Sequence, residues 1–595
     1  MKRIPTQYQP AIRLEQLLGD PERGENLFSF RQALEWDEQE QFPEPAMARL
    51  HELGLHHIFV PRSLGGQFEA SETFIALGRT LARRDMTVAV AYSTMLWAML
   101  GWMGADPGQQ RQLADAILQG GEFPCLAYSE EAHGADLIGN ETTARLDARG
   151  DYRVAGEKWP INRATRSEWV VLLARTEATA RLRNHSLFIF PKAGLAASEY
   201  ETRPRARTHG LRGCDISGLR FHDCRLPPDA QIGRAGEGLE LALKGFQITR
   251  TFCTSLSLGV GDSALRLVSD FVRGRRLYGR RVAELPHARD TLANAYLSLL
   301  LGECAAVAAA RGLQLFPAQF STWSAIAKVQ VSRLTDQVLH QLGGILGARS
   351  YLREGATGGM FQKFLRDGAI VAVFDGSNIV CLDQLATALP HLCRGRPGAG
   401  EPLALAALFD LQHPLPPWDF GAFTLRGRGQ DVVFQSLSHL AAKLAGLFAD
   451  RDCDAEVLAT LRERTAALQR AVAQLQAEVR NLPPARGARN SAVRFGLAER
   501  YCALHAAICA LGFWLFNRDQ LGVFVARGEW LAAALARQGE ATFRCGTLSE
   551  LETAGLCERM FEQTKERQMY SLIPWQLAAS GQGEASDDGK LFPAA

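Results

Sequence analysis

Among the residues able to do chemistry, one run of arginines stands out, Arg273-Gly274-Arg275-Arg276-Leu277-Tyr278-Gly279-Arg280-Arg281, with another arginine upstream at Arg250. A planar guanidinium fork pairs with two phosphate oxygens at once, so such residues suit a phosphate-bearing ligand. As a bare charge run, the same stretch reads as a solvated helix end or a weak nucleic-acid patch. Gly343-Gly344 would let backbone approach a phosphate closely, or would simply end a helix. The 12 cysteines are scattered and form no CxxC pair. That argues against a zinc site or a CxxC redox motif, so no metal is expected, and a reducing cytoplasm fits. Lys+Arg is 66 and Asp+Glu is 64, a net charge of +2. This balance argues against a dedicated nucleic-acid binder.

The elements that must position these residues change texture along 595 residues, 47% of them hydrophobic. Residues 1–122 read as a helical domain. Its opening, MKRIPTQYQP, lacks the apolar core of a secretory signal. The uncharged stretch Met86 to Ala105 is long enough to span a bilayer, and a helix buried on all sides is the preferred reading. From Phe123 short apolar runs alternate with turn residues, predicting a β-domain over 123–235. Arg149-Gly150-Asp151 and Ala155-Gly156-Glu157 sit where hairpin turns would fall, and Lys158 on its own reads as a surface strand residue. Helical spacing returns over 236–392. Residues 393–402 (CRGRPGAGEP, from Cys393) read as a linker, and 403–595 as a helical extension. Within it Leu461, Leu468, Val472, Leu475 and Val479 follow an a/d rhythm up to Leu482-Pro483-Pro484. Ordinary packing in a bundle is preferred to a free coiled coil. The stretch GQGEASDDGK near the end reads as a solvated tail.

Six segments, in order, make residues 50 to 392 resemble the acyl-CoA dehydrogenase family of flavoproteins. Tyr128-Ser129-Glu130-Glu131-Ala132-His133-Gly134-Ala135-Asp136 is similar to the family's flavin-side strand and Gly-rich turn. Ser129 stands at its Thr position, and Ala135 replaces its Ser. Gly156-Glu157-Lys158-Trp159-Pro160-Ile161-Asn162 resembles Gly-x-Lys-x-Trp-Ile-Thr, with Pro160 at the Trp position and Asn162 at the Thr position. Gly210-Leu211-Arg212-Gly213-Cys214-Asp215 looks like the segment closing the β-domain. Arg275 and Tyr278 match Arg-x-x-Phe-Gly, which in the family reaches the FAD pyrophosphate across a subunit boundary. His340 with Gly343 and Gly344 resembles Gln-x-x-Gly-Gly near the FAD diphosphate. Phe374-Asp375-Gly376-Ser377 resembles Tyr-Glu-Gly-Thr, whose Glu is the catalytic base in many members. In other members the base lies on an earlier helix, at a position that falls here at about Thr249.

The resemblance implies a mainly α fold with a central β-domain: an N-terminal helical domain, a middle β-barrel-like domain and a C-terminal four-helix bundle. An extra C-terminal helical domain follows, a layout similar to that of very-long-chain members. It implies FAD as cofactor, contacted by Tyr128, Ser129, Ala135, Ile161, Asn162, Arg275, Tyr278, His340, Gly343, Gly344 and Ser377. Asp375 is then the α-proton base, and Arg250 and Gly376 contact substrate. The expected activity is α,β-dehydrogenation of an acyl-CoA or of an acyl thioester on an acyl carrier protein. An electron-transfer flavoprotein or another acceptor would take the electrons, and the assembly would be a homodimer or homotetramer. Two alternatives remain open. One is oxidation of a different carbon acid, since Asp is also the base of the nitroalkane oxidases in this superfamily. The other is a flavin-bound relative that binds DNA, which the near-neutral charge disfavours. No nucleic-acid partner is expected, and no basic amphipathic stripe supports peripheral membrane contact.

Overall fold

The computed structural model describes residues 4–177, 183–355, 358–394, 401–483, 491–537, 548–579 and 589–592. Seven helices come first: α1 (Gln9–Leu18), α2 (Phe30–Glu38), α3 (Glu44–Glu52), α4 (Ser71–Ala82), α5 (Met86–Tyr92), α6 (Ala98–Gly104) and α7 (Pro107–Gly120). Local chemistry sets their ends. In α7, Asp106 and Gln109 form a reciprocal capping box, Pro107 takes the first turn, and Gly121 closes the helix at φ 63°. The uncharged stretch is not one helix, because a 3-10 turn at Ser93–Trp97 separates α5 from α6. Two stretches, Met86–Gly104 and Pro286–Leu315, are long and apolar enough to cross a membrane. Both are buried within the protein, as the core reading expects.

The β-domain holds β1 (Pro124–Ala127), β2 (Thr143–Leu146), β3 (Tyr152–Asn162), β4 (Trp169–Arg175), β5 (His185–Pro191), β6 (Tyr200–Arg203), β7 (Ile216–Leu226) and β8 (Gln231–Ile232). The strand order is β6-β7-β3-β2-β4-β5-β8, with β1 parallel to β4. Gly150 lies in the β2–β3 hairpin at φ 88°, where a turn was expected. Ala155-Gly156-Glu157 is not a turn. It lies inside β3, and the β3–β7 register shifts between Val154 and Gly156. Glycine marks bulges as well as turns, and here it marks a bulge.

The helical domain follows: α8 (Gly238–Gly274), a hairpin of β9 (Arg276–Leu277) and β10 (Arg280–Arg281), α9 (Pro286–Leu315), α10 (Phe320–Leu346), α11 (Gly358–Gly368) and α12 (Asn378–Leu392). Helix α4 crosses α8 at backbone range. A Cβ on Gly259 would lie 2.7 Å from the Arg79 carbonyl, and one on Gly78 would lie 2.4 Å from Ser255 Oγ. That crossing locks the N-terminal helices onto the bundle. Gly343 and Gly344 do not end a helix, since α10 runs on to Leu346.

The extension contains α13 (Glu401–Phe409), α14 (Val432–Gln435), α15 (Leu437–Ala445), α16 (Ala455–Arg480), α17 (Ala492–Asn517), α18 (Val523–Arg527), α19 (Glu529–Ala536) and α20 (Glu550–Lys565). Most of the linker (395–400), Pro484, Cys545 and most of the tail (581–588) lie outside the described residues. Leu461, Leu468, Val472, Leu475 and Val479 are all buried on α16, which packs against α15, α17 and α19. Buried polar contacts fasten the extension to the preceding domains. Arg311 of α9 pairs with Glu72 of α4 and donates to the carbonyls of Ala407 and His413. Arg79 pairs with Glu303, and Glu303 accepts from Ser571 Oγ and the Leu572 amide.

Candidate active site

Helix α8 supplies one face of the site. Phe246, Thr249, Arg250 and Cys253 recur at three- and four-residue spacing, so they share one side of the helix. Arg250 is buried. Its Nε donates to the Asp375 carbonyl at 3.1 Å and its Nη1 to Gln384 Oε1 at 3.0 Å. Asp375 lies between the 3-10 turn Ala369–Ala372 and α12, in two consecutive left-handed residues (Asp375 φ 54°, Gly376 φ 83°). L side chains rarely adopt that backbone, so surrounding contacts must hold it. Ser377 caps α12, its Oγ accepting from the Val380 amide.

The Asp375 side chain is half-buried, with Oδ2 4.0 Å from Cys253 Sγ. Burial pushes its carboxyl above the ordinary carboxylate range; Lys328, the Thr249 hydroxyl and Arg250 oppose that rise. Burial also pushes the Cys253 thiol up to about 12, so it stays protonated at neutral pH. Tyr128 faces this acid from the β-domain. Burial, then the Asp375 charge, raises its phenol, and its ring meets Phe246 edge-on at 5.1 Å.

The turn after β1 carries Tyr128 and Ser129 and is braced from below. The Trp159 amide donates to the Ser129 carbonyl at 2.9 Å. Lys158 is not a surface strand residue: it is 0% exposed and donates to Glu130 Oε1 at 2.8 Å and to the Tyr128 carbonyl at 3.2 Å. Burial lowers its ammonium to about 8 against the pull of Glu130. Asn162 gives its amide nitrogen to the Val90 carbonyl at 3.1 Å, leaving a buried Oδ1 without a partner. The Ile161 side chain turns away into the β-domain core, against its expected cofactor contact; strand alternation sends it opposite to Asn162. Ala135 is exposed.

The expected site residues therefore fall into two groups. Tyr128, with Ser129 beside it, and Arg250, Asp375, Gly376 and Ser377 meet where β-domain and bundle join, while Asn162 lies on β3 against the Val90 carbonyl of α5. Arg275 and Tyr278 lie past the end of α8, about 33 Å along the helix from Cys253. Both are exposed, Tyr278 by 94%. The end of α10 lies nearby, with Arg349 over the Phe271 ring at 5.6 Å. His340, Gly343 and Gly344 sit on its last turns. His340 is exposed and bonded to the Asp336 carbonyl.

Sequence reasoning missed Lys328 and Cys253, and weighed Thr249 only as a base, a role its hydroxyl cannot serve. A signal existed: Lys328 is the one charge between Phe320 and Val331 of an apolar helix. Cys253 shares a helix face with Arg250.

Helices, a β-domain at the centre and a bundle carrying a carboxylate at their junction define a three-domain fold with its candidate site between the domains. Profiles of the acyl-CoA dehydrogenase N-terminal, middle and C-terminal domains match residues 30–120, 125–224 and 236–389. They cover more than half of the chain, which belongs to the acyl-CoA dehydrogenase family. It is 26% identical over 355 residues to the mitochondrial short-chain specific acyl-CoA dehydrogenase of Sus scrofa, covering 58% of this chain and 82% of that one. Butyryl-CoA dehydrogenase from Megasphaera elsdenii shares the fold with a TM-score of 0.59 at 19% identity, over 64% of this chain and 97% of that one. An acyl-CoA dehydrogenase from Bacillus anthracis, complexed with FAD, aligns over 96% of this chain and 97% of its own, with a TM-score of 0.69 at 16% identity. That match takes in the extension.

The family binds FAD, and the residues here fit one. Asn162 Oδ1 is a buried acceptor with no protein partner. Open space surrounds Gly134 and Gly344 where a Cβ would stand. The exposed arginines of the β9–β10 hairpin suit a pyrophosphate.

Proposed function

We propose that this protein dehydrogenates the α,β-carbons of an acyl thioester, with Asp375 as the base that removes the α-proton. One observation carries the reading: a half-buried carboxylate, made basic by burial, stands at the junction of β-domain and bundle with its backbone held by Arg250. Bound FAD supplies the acceptor for the β-hydride, and the product is the trans-2-enoyl thioester. Tyr128, Ser129 and Asn162 would line the flavin ring, and Ser377 its chain. The distance between the two residue groups suits Arg275, Tyr278, His340, Gly343 and Gly344 serving the cofactor of a second copy in a homodimer. Desolvation as substrate enters raises the basicity of Asp375 further. The backbone N–H of Asp375 would steady the enolate-like carbonyl oxygen. An electron-transfer flavoprotein or another acceptor would reoxidise the enzyme in the cytoplasm.

An anaerobic titration tests this. The FAD-loaded protein is mixed in turn with acyl-CoAs of several lengths, the same acyl groups on an acyl carrier protein, and nitroethane. Loss of the visible flavin absorbance with a thioester supports the reading. Loss with nitroethane alone replaces it with a nitroalkane-oxidase-like activity, which the short acid also suits.

Gly376 gives a second check. A Cβ there would lie 2.6 Å from Arg250 Nη2, and Arg250 is already committed to Gln384 and the Asp375 carbonyl. Gly376→Ala is expected to displace Asp375 by about an ångström and to slow flavin reduction by about 100-fold. Stopped-flow measurement beside a circular dichroism spectrum separates this from unfolding.

A further inference from the structure

Lys328 lies in the interior, 1% exposed, on an otherwise uncharged stretch of α10. A buried ammonium is costly unless acceptors or a counter-charge surround it. Its Nζ donates to the Phe374 carbonyl, lies 3.7 Å from Cys253 Sγ, and sits 4.9 Å from the centroid of the Phe374 ring. Cys253 Sγ is in turn 4.0 Å from Asp375 Oδ2. The ammonium and the carboxylate are thus at most about 8 Å apart across one thiol, a range at which charges in a buried site still interact strongly. Arg250 holds the next carbonyl along, that of Asp375. Two buried cations therefore grip successive carbonyls of the left-handed turn.

We propose that Lys328 is a positioning residue for the base: it pins the Phe374 carbonyl and supplies a positive field that keeps Asp375 ionised between turnovers. This rests on the reading of Asp375 as the base. The groups facing Asp375 are Thr249, Arg250 and Cys253 on α8, Tyr128 on the turn after β1, and Lys328 on α10. Cys381 on α12 bonds to the neighbouring Gly376 carbonyl at 3.6 Å. Cys253 and Tyr128 stay protonated at neutral pH. Arg250 spends its Nε on backbone and its Nη1 on Gln384. Lys328 is the cation that stands across the Cys253 thiol from the Asp375 carboxylate.

Three variants separate the roles. Lys328→Met removes donor and charge, Lys328→Gln keeps a donor and removes the charge, and Lys328→Arg keeps both. Two readouts apply to the FAD-loaded full chain: the pH profile of anaerobic flavin reduction by butyryl-CoA, and the pH titration of the Asp375 carboxyl by carbon-13 NMR. The NMR signal is assigned by its loss in Asp375→Asn and needs no substrate. The Met and Gln variants are expected to move the titration midpoint up by about one pH unit, with the acid limb of the rate following. The Arg variant is expected to restore the midpoint. A uniform loss of rate with the midpoint unmoved overturns the proposal, as does failure of all three variants to fold. If Asp375→Asn still reduces its flavin at the wild-type rate, the base assignment itself has failed. An inactive Asp375→Asn beside unmoved Lys328 midpoints sinks the lysine's role alone.

Discussion

Asp375→Asn is expected to bind FAD normally and to reduce it with a thioester about 1,000-fold more slowly than wild type, the middle of the range for a lost general base. The substitution is nearly isosteric. The contacts from Arg250 and Lys328 go to the carbonyls of residues 375 and 374, and both survive it. Burial places the Asp375 carboxyl above the ordinary carboxylate range, so the wild-type rate falls as pH drops through that raised value and the acid gains its proton. The Asn variant has no such limb. Rapid-mixing measurements across pH, with flavin content checked by absorbance, read both effects. A variant that keeps the wild-type rate would show that another group takes the proton.

Asp431→Ala is expected to give the largest loss of stability, about 4 kcal/mol, as a buried charge network loses its anion. Asp431 accepts from Trp323 Nε1 of α10 at 3.0 Å, from the Tyr501 hydroxyl of α17 at 2.6 Å and from the Phe434 amide at 3.1 Å. His505 of α17 lies 3.4 Å away. Burial disfavours the charged imidazole, but the Asp431 carboxylate outweighs it and raises His505 to about 10. The same partners hold Asp431 below its usual range. The histidine's contribution is therefore complete below about 6.5, its unfolded value, and fades as pH rises through about 10. The aspartate's contribution is present above about 4 and fades on acidification. Thermal melts of wild type and variant should differ most near neutrality and converge above pH 10 in the histidine's share. Because several domains are involved, limited proteolysis of 403–595 should accompany the melts. An equal difference at pH 7 and above pH 10 would contradict the paired charge.

What the chain disclosed in advance follows from how local each signal is. The α16 seam from Leu461 to Val479 was legible because periodicity alone sets a buried stripe. The junction group, Tyr128-Ser129 and Asp375-Gly376, was legible through motif order. Gly156 misled because one residue type serves both turn and bulge. Lys158 misled because its burial depends on Glu130 and the Tyr128 carbonyl, which only the folded sheet brings beneath it. Ile161 was assigned with its neighbour although strand alternation separates their faces. Lys328 and Cys253 were hidden because their partners come from two separate helices and a loop. The clasps of the extension, such as Arg311 to Ala407 and His413, join residues far apart in sequence, and no local pattern marks them.

The role of Asp375 is tested most directly at the proton it is proposed to move. Butyryl-CoA, or the thioester that bleaches the flavin fastest, is incubated anaerobically in deuterium oxide with the FAD-loaded protein, and label at the α-carbon is followed by mass spectrometry. Wild type is expected to exchange the α-hydrogen and Asp375→Asn to leave it in place. Equal label from both proteins would contradict Asp375 as the base.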